Sequence, residues 1–242
     1  MTGLEKSPIF DGSDTSMSGN GAYIPGNELG QLNLGGAPGS DLPPLYLPAG
    51  HGGGCVTSGP FKNMSVNLGP VSLPLVNGSL VSNGNGFAYN PRCLKRDLTD
   101  AINQQYSNAS AVVSNILDHD NIWDFQMTMQ GVPGTGKIGI HGGGHYSLGG
   151  DPGRDFYISP GDPAFYLHHS QIDRVWWIWQ NLNAKTAFGE EGISGTGTFL
   201  DAPPSANTTL ETPIDLGYAW KDVVKMKDLM STTSGPFCYT YL

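Results

Sequence analysis

DPAFYLHHSQIDRVWWIWQNL, residues 162–182, reads as the longest helix of the chain and sets the frame for everything around it. Apolar side chains recur at three and four residues, the spacing that gathers them on one helix face. Asp162 is a natural N-cap, and Pro163 suits the first turn, where its missing N–H is no loss. The aromatic stripe Trp176, Trp177 and Trp179 is expected to pack in the core. His168 and His169 are neighbours, about 100° apart around the helix, so they cannot both face one point. His169 lies four residues before Asp173 on the same stripe, which favours His169 as the ring turned toward a shared ion, with Asp173 placed to steer it.

Upstream of that helix, HGGGHYSLGG at 141–150 places His141 and His145 at i and i+4, where both rings on one helix face reach one metal ion. Three glycines fill the gap. Each costs about 1 kcal/mol relative to alanine inside a helix, so a purely structural segment is a poor home for them. Three neutral imidazoles from two helices, His141, His145 and His169, with no carboxylate or thiolate offered by the spacing, suit copper or zinc and leave a position open for a ligand or substrate. The pattern points to a catalytic site rather than a structural one. His51 and His119 read as ordinary loop or surface histidines.

Composition bounds the rest. The 242 residues can bury a real core, and with charged residues at 14%, 35 glycines and 18 prolines, long stretches must be ordered loop. A formal charge of -9 without any basic run argues against a nucleic-acid partner and against an anionic membrane surface. No apolar stretch reaches the roughly 18 residues of a membrane helix, and nothing at Met1 resembles a secretory signal. Residues 1–95 are almost free of helical periodicity, and GSDTSMSGNGAYIPGNELGQLNLGGAPGSDLPP reads as turns. VTSGPFKNMSVNLGPVSLPLV offers short strands; LKRDLTDAINQQY, SAVVSNILD and NIWDFQMTMQ carry helical periodicity; residues 183–242 return to loops. The expected fold is mainly α, with long ordered loops and few short strands, in one domain over 1–242.

Four sequons, at Asn63, Asn77, Asn108 and Asn207, and few lysines suit an extracellular glycoprotein. Cys55, Cys93 and Cys238 allow one disulfide with one thiol left over, and the odd count hints at a partner outside the sequence. A chain that has lost its beginning reconciles these features with the lack of a signal.

GDPAFYLHHSQIDRVWWIWQ resembles the second-copper signature of the tyrosinase and catechol oxidase family, of pattern D-P-x-F-x-x-H-H-x-x-x-D-R-x-W, and HGGGHYSLGGDPGRDFYISPGDPAF is similar to short fungal polyphenol oxidases. CVTSGPFKNMSVNLGP, NPRCLKRDL and the closing Tyr239-x-Tyr241 match more loosely. The resemblance implies a type 3 copper domain built on a four-helix bundle, whose paired coppers use dioxygen to oxidise phenols or catechols to ortho-quinones. It makes His141, His145 and His169 ligands of the second copper, His168 their buried neighbour and Phe165 an aromatic wall. Gly142 and Tyr146, which follow the first two ligands, would line the substrate entrance. An asparagine after the first ligand goes with monophenol hydroxylation in the family; Gly142 has no such side chain, and MQGVPGTGKIG lacks the family's water-holding glutamate. The expectation is therefore catechol oxidation with weak or no monophenol hydroxylation.

The family's first copper site needs three further histidines, two of them in motifs such as H-N-x-x-F-x-P-W-H-R, and nothing of the kind precedes Ser7. The chain is expected to carry half of a dicopper centre and one of its two copper ions, with a missing N-terminal half or a partner chain supplying the other. Alternatives are a mononuclear zinc hydrolase with three histidine ligands, which lacks a placed general base, and a non-catalytic copper- or oxygen-binding fragment. HGGGC at 51–55 mimics an esterase oxyanion hole, but no G-x-S-x-G elbow accompanies it.

Overall fold

In the computed structural model, residues 3–34, 45–76, 79–132, 135–198 and 201–242 are described. The end of the glycine- and proline-rich turn stretch and the Asn77 sequon lie outside them. Among these residues the chain is mixed rather than mainly α: five helices stand beside five two-stranded antiparallel ribbons. The expectation of long ordered loops holds, while short strand pairings are more numerous than expected, most of them within residues 1–95. No described helix is long and apolar enough to cross a membrane.

Two compact units are distinguished, Met1–Ala111 with Met129–Gln171, and Val112–Thr128 with Ile172–Leu242. The first holds the ribbons β1 (Gly21–Tyr23) with β4 (Gly53–Val56), β2 (Gln31–Leu34) with β3 (Leu45–Pro48), β5 (Ser65–Val66) with β8 (Arg92–Cys93), and β6 (Leu73–Pro74) with β7 (Leu80–Val81). It also holds α1 (Asp100–Tyr106), α4 (Gly139–Leu148) and the start of α5 (Ala164–Leu182). Leu32, Leu47, Ile102 and Tyr106 form one buried cluster; Val56, Val66 and Leu94 a second; Leu98, Leu148 and Ala164 a third. Each fully buried aliphatic side chain contributes about 1.5–3 kcal/mol relative to exposure.

The helix expected from Leu94 onward begins only at Asp100. Residues 94–99 run extended because neighbouring segments claim their backbone: Val56 donates to the Leu94 carbonyl at 2.8 Å, Gly53 to Arg96 at 2.8 Å, and Thr99 in turn donates to Ser147 at 2.9 Å. The apolar period of LKRDL is spent on strand-like pairing, a tertiary override of local propensity. This segment also carries Arg96, whose side chain and that of Asp162 are fully buried as an ion pair with bonds of 2.9 and 2.7 Å. The guanidinium further donates to the carbonyls of Met17 and Ser18 and lies 5.6 Å from the Phe10 ring centroid. Cys55 and Cys93 form a disulfide across the adjoining strands, with Cα atoms 5.6 Å apart, leaving Cys238 as an exposed thiol.

The second unit holds most of α2 (Ala109–Leu117), most of α3 (Ile122–Gln130) and the rest of α5, whose Trp179 is buried and stacked on Phe125 of α3 at 4.7 Å. Its indole N–H donates to the His119 carbonyl at 2.8 Å. Trp179 is core as expected, whereas Trp176 and Trp177 are half-buried. A last ribbon pairs β9 (Pro213–Ile214) with β10 (Val224–Lys225).

Candidate metal centre

The segment 139–148 is helical despite its glycines, because each opening lets something else in. A Cβ on Gly143 would stand 2.7 Å from the Tyr106 Cβ, and one on Gly144 would stand 2.5 Å from His168 Nδ1. Real Cβ atoms do not approach so closely, so these two glycines let α1 and the start of α5 lie hard against α4. At Gly142 the nearest neighbour, Ile138 Cβ, is 3.0 Å away and there is more room.

α5 is launched as its sequence suggests: Asp162 Oδ1 accepts from the Ala164 N–H at 2.9 Å while the same carboxylate holds Arg96. A buried charge pair and a helix cap share one side chain. This fixes the first turns of the helix, which present Phe165, His168 and His169.

Four imidazoles meet. His145 Nε2 lies 3.2 Å from His141 Nε2 and 3.1 Å from His169 Nε2. The Nδ1 of His145 faces the Gly153 carbonyl at 3.2 Å, and the Nδ1 of His141 faces Gln130 Oε1 at 2.7 Å. An oxygen acceptor on Nδ1 places the proton there and leaves the lone pair on Nε2. Nε2 lone pairs then confront one another with no hydrogen between them, an arrangement relieved by a cation. Two nitrogens each about 2.0–2.1 Å from a tetrahedral metal would stand roughly 3.3–3.4 Å apart. The donor set fits a soft or borderline divalent or monovalent metal such as copper or zinc.

His168 competes with His169 for third place. His141, His145 and His168 each offer a ligand atom, all within 4.8 Å of one another. Yet His168 Nε2 is 2.8 Å from the His141 carbonyl, and its ring stacks on that of His141 at 5.6 Å and 11°. His169 instead directs Nε2 at His145, with Phe165 stacked on its ring at 3.9 Å.

Burial, with the neighbouring imidazoles adding to it, drives His141 down to about 3; burial drives His168 to about 4 and lowers His145 and His169 as well. At neutral pH all four rings are uncharged, the form that binds a metal.

The other expected residues are distributed unevenly. Phe165 is at the site, 5.8 Å from the His145 ring, and Gly142 sits on α4 beside His141. Tyr146 packs instead against the cluster of Leu32, Leu47, Ile102 and Tyr106, and burial pushes its phenol up to about 12. Asp173 belongs to the second unit, where its carboxylate accepts from the Tyr239 hydroxyl at 2.9 Å and from the Tyr241 hydroxyl. Gln130, Gly153 and Arg96 carry no signal in the sequence: a glutamine at a helix end has no pattern of its own, a carbonyl has no signature, and Arg96 lies in LKRDL, whose period suggests a helix that the fold does not form.

Comparison with known proteins agrees with this geometry. The family model for the common central domain of tyrosinase matches residues 2–182. Tyrosinase P of Aspergillus terreus is 39% identical over 98% of this chain and 64% of its own length. N-acetyl-6-hydroxytryptophan oxidase ivoB of Emericella nidulans is 35% identical over 98% of this chain and 65% of its own. Among solved structures, a mutant polyphenol oxidase from Thermothelomyces thermophila matches with a TM-score of 0.87 at 40% identity, over 100% of this chain and 63% of that one. The chain therefore spans a little under two thirds of the length of these three proteins. With the family model covering most of the sequence and relatives this similar along nearly all of it, the chain belongs to the tyrosinase family.

Proposed function

We propose that this chain contributes the second-copper half of a type 3 dicopper enzyme that oxidises o-diphenols to o-quinones with dioxygen, with weak or no hydroxylation of monophenols. The observation that carries the proposal is the convergence of His141, His145 and His169 Nε2 atoms, two of them on His145 at 3.1–3.2 Å. These three are the proposed ligands, because the Nε2 of His168 is committed to a backbone carbonyl. A copper pair supplies two-electron oxidation of the catechol coupled to reduction of dioxygen. The chain's own part is to hold three neutral imidazoles ready, to exclude water with the Phe165 ring, and to present the backbone at Gly142 to the substrate.

Gly142 offers no side chain to orient a water that takes the proton of a monophenol, the feature that goes with hydroxylation in the family, and this supports the preference for diphenols. The reading includes a second set of histidines supplied by polypeptide outside these 242 residues, consistent with relatives longer than the stretch matched. It also includes an extracellular glycoprotein, supported by exposed sequon residues Asn63 and Asn207, whereas Asn108 Oδ1 caps α2 through the Ala111 N–H at 2.8 Å. Among the described residues, the oxygens bonded to these rings belong to the Gln130 amide and to the Gly153 and His141 carbonyls rather than to a carboxylate, which disfavours a zinc hydrolase needing a general base.

The test is oxygen uptake by the dicopper enzyme containing this chain, on tyrosine and on dihydroxyphenylalanine. Rapid uptake on the diphenol alone supports the proposal; equal rates refute the specificity, and no uptake on either refutes the activity. Metal analysis showing zinc in place of copper would refute the cofactor.

A further inference from the structure

We infer that Gln130 is a positioning residue for the metal centre: through its side-chain oxygen it fixes the tautomer and the ring orientation of His141. The inference rests on the ligand role of His141 proposed above and adds the group that makes the ring competent. Gln130 Oε1 lies 2.7 Å from His141 Nδ1, a normal hydrogen-bond length. An amide oxygen only accepts, so the imidazole must donate from Nδ1 and keep its lone pair on Nε2, the atom that faces His145 Nε2 at 3.2 Å. Without that acceptor the neutral ring is free to carry its proton on Nε2, where it would block coordination.

The backbone is built to bring this glutamine to the histidine. Gln130 is the last residue of α3, and Gly131 follows it with φ +84°, in the left-handed region. A Cβ on Gly131 would meet the Cα and carbonyl carbon of Ile138 at 2.5 Å. Ile138 in turn is the N-cap residue of α4, which carries His141. The chain thus reverses at a point only glycine can occupy, and the end of α3 is pressed against the start of α4.

The other anchored ring shows the same chemistry, since His145 Nδ1 faces the Gly153 carbonyl. Both acceptors are neutral amide oxygens. A neutral acceptor orients the ring without adding negative charge to the centre, where a carboxylate would raise imidazole basicity and favour the more highly charged metal ion. Groups that orient metal-binding histidines are typically worth 10–100-fold in affinity. Gln130 is solvent-exposed, and water competes for the same N–H, so the lower end, about tenfold, is expected here.

The test compares the wild-type chain with Gln130→Leu, Gln130→Met and Gln130→Glu, all checked for folding by circular dichroism. Nitrogen-15 NMR of the metal-free chain reads the His141 tautomer, and Cu(I) titration against a chromogenic chelator reads affinity. Wild type and Gln130→Glu should show the Nδ1–H tautomer. Gln130→Leu, or Gln130→Met where leucine prevents folding, should show a mixture and bind Cu(I) about tenfold more weakly. An unchanged tautomer in the leucine and methionine variants would overturn the inference. Failure of the wild-type chain to bind Cu(I) would instead refute the copper reading, with the NMR result still deciding what Gln130 does.

Discussion

Alanine substituted singly at Gly142, Gly143 and Gly144 separates helix propensity from packing in one short segment. Each change gains about 1 kcal/mol of intrinsic helix stability. At Gly142 the added Cβ meets only Ile138 Cβ at 3.0 Å, a contact relieved by a shift of a few tenths of an ångström, so the gain should largely survive. At Gly143 the new atom lands 2.7 Å from the Tyr106 Cβ, which is tied to the α1 backbone and cannot rotate away. At Gly144 it enters the His168 imidazole, which is held by its bond to the His141 carbonyl and by stacking on the His141 ring. Overpacking of this kind costs about 1–3 kcal/mol or more. The net expectation is a stability change from zero to about +1 kcal/mol for Gly142→Ala and a loss of up to about 2 kcal/mol for each of the other two. At roughly 2–4 °C per kcal/mol for a chain of this size, thermal unfolding of the metal-free protein resolves the two classes. Copper titration adds a second axis, because Gly144→Ala must also displace a ring that stacks on a ligand. If all three variants were equally stabilised, or if Gly144→Ala bound copper as tightly as wild type, the close-approach account of the glycines would be wrong.

The Asp162→Asn variant keeps a competent N-cap but leaves Arg96 buried and charged without its partner; a loss of about 3–5 kcal/mol is expected, read as the denaturant midpoint, and a loss under 1 kcal/mol would show that the pair is not buried as described. Metal-free protein should lose stability in acid. His141 and His168 titrate near 3 and 4 in the fold against about 6.5 unfolded, so between those values the unfolded chain binds more protons. This stability is fully present above about pH 6.5 and falls below it by up to roughly 1.4 kcal/mol per pH unit for each histidine; urea midpoints unchanged from pH 7 to 5 would contradict the buried neutral rings. Replacing Cys55 and Cys93 together with serine opens a loop whose ends are 38 residues apart and should cost about 3–4 kcal/mol, measured by calorimetry, with no change in the midpoint excluding a stabilising bridge.

What could be read from sequence follows how local each cause is. α5 was legible because its cap, its proline and its aromatic spacing all lie within the helix itself. Its expected start at Pro163 differs from the observed Ala164 by one residue. The histidines at 141, 145, 168 and 169 were legible for the same reason, as was the need for the glycines to serve something other than the helix. The partners of those glycines, Tyr106 and His168, were not, since nothing in HGGGH says what approaches it. The short strands read from VTSGPFKNMSVNLGPVSLPLV include β5 and β6, while most of the other strands escape because each is only two to four residues long and owes its pairing to another segment. Leu94–Thr99 runs against its own pattern: its period suggests a helix, and hydrogen bonds to residues some forty to fifty positions away along the chain make it extended. Tyr146 shows the limit of arguing from adjacency, for its position next to His145 says nothing about which side of α4 its ring occupies.

The shared carboxylate of Asp162 has one further consequence. Because a single residue both neutralises Arg96 and starts the helix bearing His168 and His169, the scaffold's folding and the aiming of those rings form one cooperative event. The ordering entropy is then met when the polypeptide folds, and a metal ion arriving later finds a rigid socket. Capture of copper by such a socket should proceed with little change in heat capacity, in contrast to small zinc modules whose polypeptide assembles around its ion.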